Sequence, residues 1–255
     1  MLKVRVIPTL LWKDGSLVKG TGFDSWRRVG AAMPAIKVYN TRDVDELVLM
    51  DIAATAEGRG PDLGEIDALA RECFVPFTVG GGVASVETVR DLLRAGADKV
   101  IVNSAAYPDP ALITEAALRF GSQCVVAAID VLRGDDGEYA CCARSGAQRM
   151  GIGPVQWARR LEQLGAGEIL LTRIERDGTL QGYDIDLLAQ VSAAVSIPVI
   201  AAGGAGSYDD MLQALRSGGA SAVAAGAMFQ FTEQTPREAK QFLAAHGIPV
   251  RAAAN

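Results

Sequence analysis

The apolar positions of this chain fall into two patterns that alternate from end to end. Short runs that are apolar almost throughout, rich in Val and Ile, occur at residues 4–9, 46–51, 76–79, 99–102, 124–129, 168–172, 198–201 and 222–225. Apolar character without in–out alternation marks strands covered on both faces, as in parallel sheets. Between them lie stretches in which apolar residues return every three or four positions, for example 63–72, 86–95, 110–120, 154–164 and 186–195. That spacing predicts amphipathic helices. Eight strand–helix units predict a (β/α)8 barrel over residues 1–255 in one domain, in preference to an open doubly wound sheet.

The pattern repeats at half the chain length. The run Val75-Pro76-Phe77-Thr78-Val79-Gly80-Gly81-Gly82 resembles Ile197-Pro198-Val199-Ile200-Ala201-Ala202-Gly203-Gly204. The same offset pairs Glu46 with Glu168, Asp62 with Asp184, Ser85 with Ser207 and Arg94 with Arg216. This predicts two half-barrels of four units each, about 1–120 and 121–246. The period is too long for a solenoid.

Composition narrows the function classes. The 28 glycines among 255 residues exceed the ~7% of an average chain without forming a low-complexity tract, so they belong to tight turns. The net charge of −5 supplies no basic patch for nucleic acid or an anionic membrane. The N-terminal run lacks a signal peptide's apolar core, and no apolar run is long enough to span a membrane. The four cysteines form no CxxC pair and the only histidine is His246, so neither a structural metal nor a disulfide framework is expected. Nor does any cofactor motif appear. These features predict a cytoplasmic protein.

In such a barrel the loops after the strands form the active face. Gly81 and Gly82 follow the third strand, and Asn103-Ser104 closes the fourth; together they form one candidate phosphate site. Gly203 and Gly204 after the seventh strand, Gly226-Ala227 after the eighth and Asp177-Gly178 after the sixth form a second. Two such sites suit a phosphorylated small molecule with an anionic group at each end. The competing explanation is that tight turns need glycine for shape alone. Asp130 ends the fifth strand and is the candidate general acid or base. Asp51 holds a similar place as a supporting residue. The first strand runs into Leu10-Leu11-Trp12, so no carboxylate stands opposite Asp130. At the other end, Arg5, Glu46, Lys99 and Glu168 stand at or beside strand starts, a pattern that composition alone explains as neutralisation of the lower rim.

These runs resemble the cyclase subunit of imidazole glycerol phosphate synthase, the HisF family, over essentially the whole chain. The match is carried by Arg5-Val6-Ile7-Pro8, Lys13-Asp14-Gly15, residues 45–52, 78–82, 96–100, 103–106, 121–126, Ile129-Asp130, 165–172 and Asp177-Gly178-Thr179. The resemblance implies a barrel paired with a HisH-like glutaminase subunit, whose ammonia enters the floor and rises to the mouth. Arg5, Glu46, Lys99 and Glu168 match the family's ammonia gate, Asp98 an interface position, and Gln123 and Thr172 supporting positions. It also implies a second catalytic aspartate after the first strand, where this chain has Leu11. Arg173 replaces a small residue, and Ala227 a phosphate-binding hydroxyl.

The Leu-Leu run and residues 220–226 resemble the family's branch found in surface-polysaccharide gene clusters. There the barrel is expected to pass ammonia to an ATP-dependent sugar amidotransferase that forms acetamidino sugars. The favoured expectation is therefore an ammonia-channelling subunit for sugar amidination. The alternatives are an authentic cyclase in histidine biosynthesis and a catalytically silent scaffold that activates its glutaminase.

Overall fold

The computed structural model describes residues 3–251. Eight parallel strands close on themselves: β1 (Arg5–Lys13), β4 (Leu47–Asp51), β5 (Phe77–Gly80), β6 (Lys99–Val102), β7 (Val125–Arg133), β10 (Glu168–Arg173), β11 (Val199–Ala202) and β12 (Ala222–Ala225). β12 pairs with β1 and β7 with β10, which leaves the barrel no free edge. Helices α2 (Leu63–Ala70), α3 (Val86–Arg94), α4 (Ala111–Phe120), α5 (Pro154–Gln163), α6 (Ile185–Ser192) and α7 (Tyr208–Arg216) connect them. Short α8 (Ala227–Phe231) and α9 (Pro236–Ala245) follow β12, and α1 (Ala32–Asn40) precedes β4. The closed parallel barrel expected from the apolar pattern is the observed fold, and no helix among the described residues is long and apolar enough to cross a membrane.

Local chemistry starts the helices where the repeat predicts equivalence. Asp62 and Asp184 each cap a helix by accepting a backbone N–H three residues on, as do Ser85 and Ser207. Two features depart from the predicted pattern, and they too correspond between halves. β1 and β7 run four residues past their expected ends, rise out of the barrel and pair antiparallel with hairpins. β1 carries β2 (Ser16–Thr21) and β3 (Asp24–Gly30); β7 carries β8 (Tyr139–Ala143) and β9 (Gln148–Arg149). β2 and β8 bury Ser16–Lys19 and Cys141–Ala143, but these runs are short and sit beside exposed β3 and β9, so the apolar pattern passed over them.

The interior has two shells. Large residues such as Phe77, Leu69, Leu92 and Ile113 fill the space between strands and helices. Inside the barrel, Ile7, Val48, Ile101, Val126, Ala128, Leu170, Ile200, Ala222 and Ala224 form a separate apolar layer. Beneath that layer lies the floor, at the strand starts; above it lies the mouth.

Candidate functional site

The floor residues point inward and close a ring. Arg5 donates to Glu46 at 2.5 Å and pairs with Glu168 at 2.9 Å; Lys99 reaches Glu46 at 2.9 Å and Glu168 at 3.1 Å. Thr78 donates its hydroxyl to the second oxygen of Glu46 at 2.6 Å, so that carboxylate is fully engaged and only 1% exposed. Burial pushes the Arg5 guanidinium down, and the two glutamates more than offset it, leaving it raised. The four charges therefore cross-link the base of the barrel. They do not line an outer rim, as composition alone had suggested.

The hub of the ring is held from outside. Asp45, beside Glu46, accepts from the Val6 amide at 2.9 Å and from Lys240 of α9 at 3.0 Å, a pair almost shut off from water. Asp98 is exposed at the floor, with one oxygen accepting from the Phe77 amide at 2.8 Å. Gln123 is exposed and precedes β7, at the floor end, where its amide donates to the Phe120 carbonyl.

The mouth is a cavity of about 840 Å³. Asp130 lines it at the top of β7 and accepts from the Asn103 amide at 2.6 Å. Burial raises its carboxyl to about 7, with nearby Asp177 adding to the rise and the Asn103 hydrogen bond opposing it. A group poised there exchanges protons readily near neutral pH. Leu11 also lines the cavity, 8% exposed, paired in register with Met50 and Val18, and it supplies no proton.

Of the ten predicted anion-site residues, Gly81, Gly82, Asn103, Ser104, Asp177, Gly203 and Gly226 line the mouth, whereas Gly178, Gly204 and Ala227 do not. Gly178 lies under the β2–β3 hairpin, where a Cβ would meet the Gly20 carbonyl at 2.1 Å. Gly204 packs under the Gly182 carbonyl, and Ala227 turns into the core, 6% exposed. Packing also fixes Gly81, whose φ is +105° and whose Cβ would stand 2.1 Å from the Asp51 carbonyl. Asp51 is a loop anchor: it accepts from the Ala53 and Ala54 amides and holds Arg59 with both oxygens. Thr172 is buried at the cavity wall. Arg173 points away from the mouth, to Asp184 at 2.5 Å and Glu175 at 3.2 Å, so its size does not narrow the cavity.

Sequence reasoning missed Lys19. The β2–β3 hairpin folds over the mouth, with the Gly22 amide donating to the Asp177 carbonyl at 2.9 Å, and it buries Lys19 at 2% exposure. A Cβ on Gly226 would lie 2.1 Å from its Nζ, so glycine there makes room for the ammonium. Burial lowers Lys19 and raises Asp177, and the attraction between them opposes both shifts. The available signal was a lysine close after Lys13-Asp14-Gly15, in a segment without apolar periodicity.

Comparison with known proteins follows the same lines as this geometry. The family model described as histidine biosynthesis protein matches residues 5–234. The chain is 50% identical over 251 residues to the imidazole glycerol phosphate synthase subunit HisF of Hyphomonas neptunium, covering 98% of this chain and 99% of that one. It is 49% identical over 252 residues to the protein of the same name from Caulobacter vibrioides, covering 98% and 97%. With half its residues shared over nearly the full length of both relatives, the chain belongs to the histidine biosynthesis protein family, in its HisF group.

Proposed function

We propose that this chain is the synthase-side subunit of a glutaminase-coupled pair, which takes ammonia in at the floor, carries it through the barrel and uses it at the mouth against a phosphorylated acceptor. The observation that carries this reading is the stacking of three layers: a fully paired ring of four charges, an apolar layer, and a mouth with one carboxyl poised near neutral pH. Ammonia is a nucleophile only while unprotonated. An apolar layer between floor and mouth keeps water and protons from it. The ring admits it by local rearrangement, since every charge keeps a second partner when one contact opens. In this reading the two halves are copies of one half-barrel, and Asp98 lies on the face that meets the glutaminase.

Two fates for the ammonia are compatible with this arrangement. The names of the relatives favour ring closure of a bisphosphate-bearing ribonucleotide to imidazole glycerol phosphate and AICAR, with Asp130 as general acid and base, and the retained mouth-lining glycines support it. Leu11 favours the second: the strand-1 position has no proton to give, so the barrel serves as a conduit and hands ammonia to an ATP-dependent amidotransferase that forms acetamidino sugars. The test supplies the ribonucleotide bisphosphate with an ammonium salt, so that no partner is required. Efficient imidazole formation by the wild-type chain refutes the conduit reading. Formation that rises on the order of 10²–10⁴-fold only in Leu11→Asp supports it.

A further inference from the structure

Three cations line the mouth: Lys19, Arg59 and Arg144. Arg59 is committed to Asp51 and Glu57. Lys19 stands against Gly226, at the second glycine site. Arg144 stands at the first. Its backbone amide donates to the Ser104 hydroxyl oxygen at 2.8 Å, and among the described residues its guanidinium has no carboxylate within 4.0 Å.

The way Arg144 is held is unusual. Arg144 and Ser145 have φ of 52° and 53°, a left-handed conformation that side chains other than glycine adopt rarely. Two bonds hold this turn down on separate loops: Arg144 to Ser104, and the Ser145 hydroxyl to the Ile52 carbonyl at 3.3 Å. The β8–β9 tip is thereby fastened to the loops after β6 and β4. Because the Ser104 oxygen accepts from the Arg144 amide, its own proton is directed elsewhere and remains free to donate. Arg144, whose side chain is exposed and unpaired by any carboxylate among the described residues, and the Ser104 hydroxyl thus both line one end of the cavity, and Lys19 lies against Gly226 at the other.

We propose that Arg144 is a specificity-determining ligand of the mouth, gripping one phosphate monoester of the acceptor together with Ser104, while Lys19 beside Gly226 takes a second anionic group. Arginine suits this task because its planar fork donates two parallel hydrogen bonds to phosphate. The inference rests on the reading of the acceptor as phosphorylated and names the residue that selects for it at the Ser104 end.

The test titrates the full chain with inorganic phosphate, followed by calorimetry and ³¹P line broadening, in wild type, Arg144→Gln, Arg144→Lys and Lys19→Gln. The expected result is two sites in the wild type. Arg144→Gln weakens one of them by about tenfold and spares the other, Lys19→Gln does the reverse, and Arg144→Lys recovers only part of the loss. Unchanged binding in Arg144→Gln overturns the proposal. So does an equal weakening of both sites together with a fall in Tm, which marks a structural hairpin tip. No phosphate binding by the wild type refutes the phosphorylated-acceptor reading itself, and this proposal with it.

Discussion

Replacing Asp130 with asparagine should stabilise the protein at pH 8 and leave it nearly unchanged at pH 4. The carboxyl is half-buried within β7 at the mouth, and its surroundings raise it from 3.8 to about 7. An unfolded chain releases that proton near 3.8, whereas the folded one keeps it to about 7. Between those values the native state binds more protons than the unfolded state, so stability falls as pH rises and levels off above about 7. At 1.36 kcal/mol per pH unit the full penalty at pH 8 is about 4 kcal/mol, of which water entering the mouth recovers some. Asparagine keeps the shape and carries no charge. Its Oδ1 accepts the Asn103 hydrogen bond that Asp130 now accepts at 2.6 Å. Urea unfolding of both proteins at half-unit steps from pH 4 to pH 8 measures the difference. A gap that opens steadily between about pH 4 and pH 7 supports the argument. A gap that is constant across the range, or that favours the aspartate at high pH, refutes it.

Two other substitutions probe the floor. Glu46→Gln removes the hub of the ring and leaves Arg5 and Lys99 to share Glu168; a loss of about 3 kcal/mol in urea unfolding is expected, with glutamine-dependent turnover falling further than ammonium-dependent turnover in the presence of the glutaminase. Lys240→Met breaks a pair whose side chains are 4% and 5% exposed, leaving the Asp45 carboxylate without its cation; a loss of about 3–5 kcal/mol is expected, and a shift below about 1 kcal/mol would show that this pair does not hold α9 to the floor.

The barrel was legible because its strands are covered on both faces and therefore write unbroken apolar runs into the chain. Lys99–Val102 and Ala222–Ala225 have the bounds that their apolar runs predict. The hairpins were not legible, since their buried runs, Ser16–Lys19 and Cys141–Ala143, are short, their outer strands are exposed, and their placement over the mouth depends on long-range bonds such as Gly22 to Asp177 and Arg144 to Ser104. With them were hidden Lys19 and Arg144, two of the three cations of the mouth. Strand-end residues such as Asp130 could be placed from strand register alone. Gly178, Gly204 and Ala227 stood just past strand ends too, but each is turned away by a neighbouring loop whose path depends on contacts more than twenty residues distant or on the core beneath. Sequence position locates the rim of a barrel; which side chains face inward from it is settled by packing.

The floor and the mouth differ in what they ask of the fold. Drawing four charges into the base of a barrel incurs a desolvation cost, and apolar residues of similar volume would often be neutral or more stabilising there. A barrel that only propped up a partner would gain nothing from the ring. Asp130 carries a penalty of the same kind at the other end. Leu11 runs the opposite way: a leucine packed at the mouth is more stabilising than an unpaired buried carboxylate, and it gives up proton transfer at that position. Between the two ends lies an apolar layer of nine buried residues. Exchange at residue 11 therefore leaves the ring as it stands, and under the proposed function the delivery of nitrogen through the floor is physically separable from the chemistry that would consume it at the mouth.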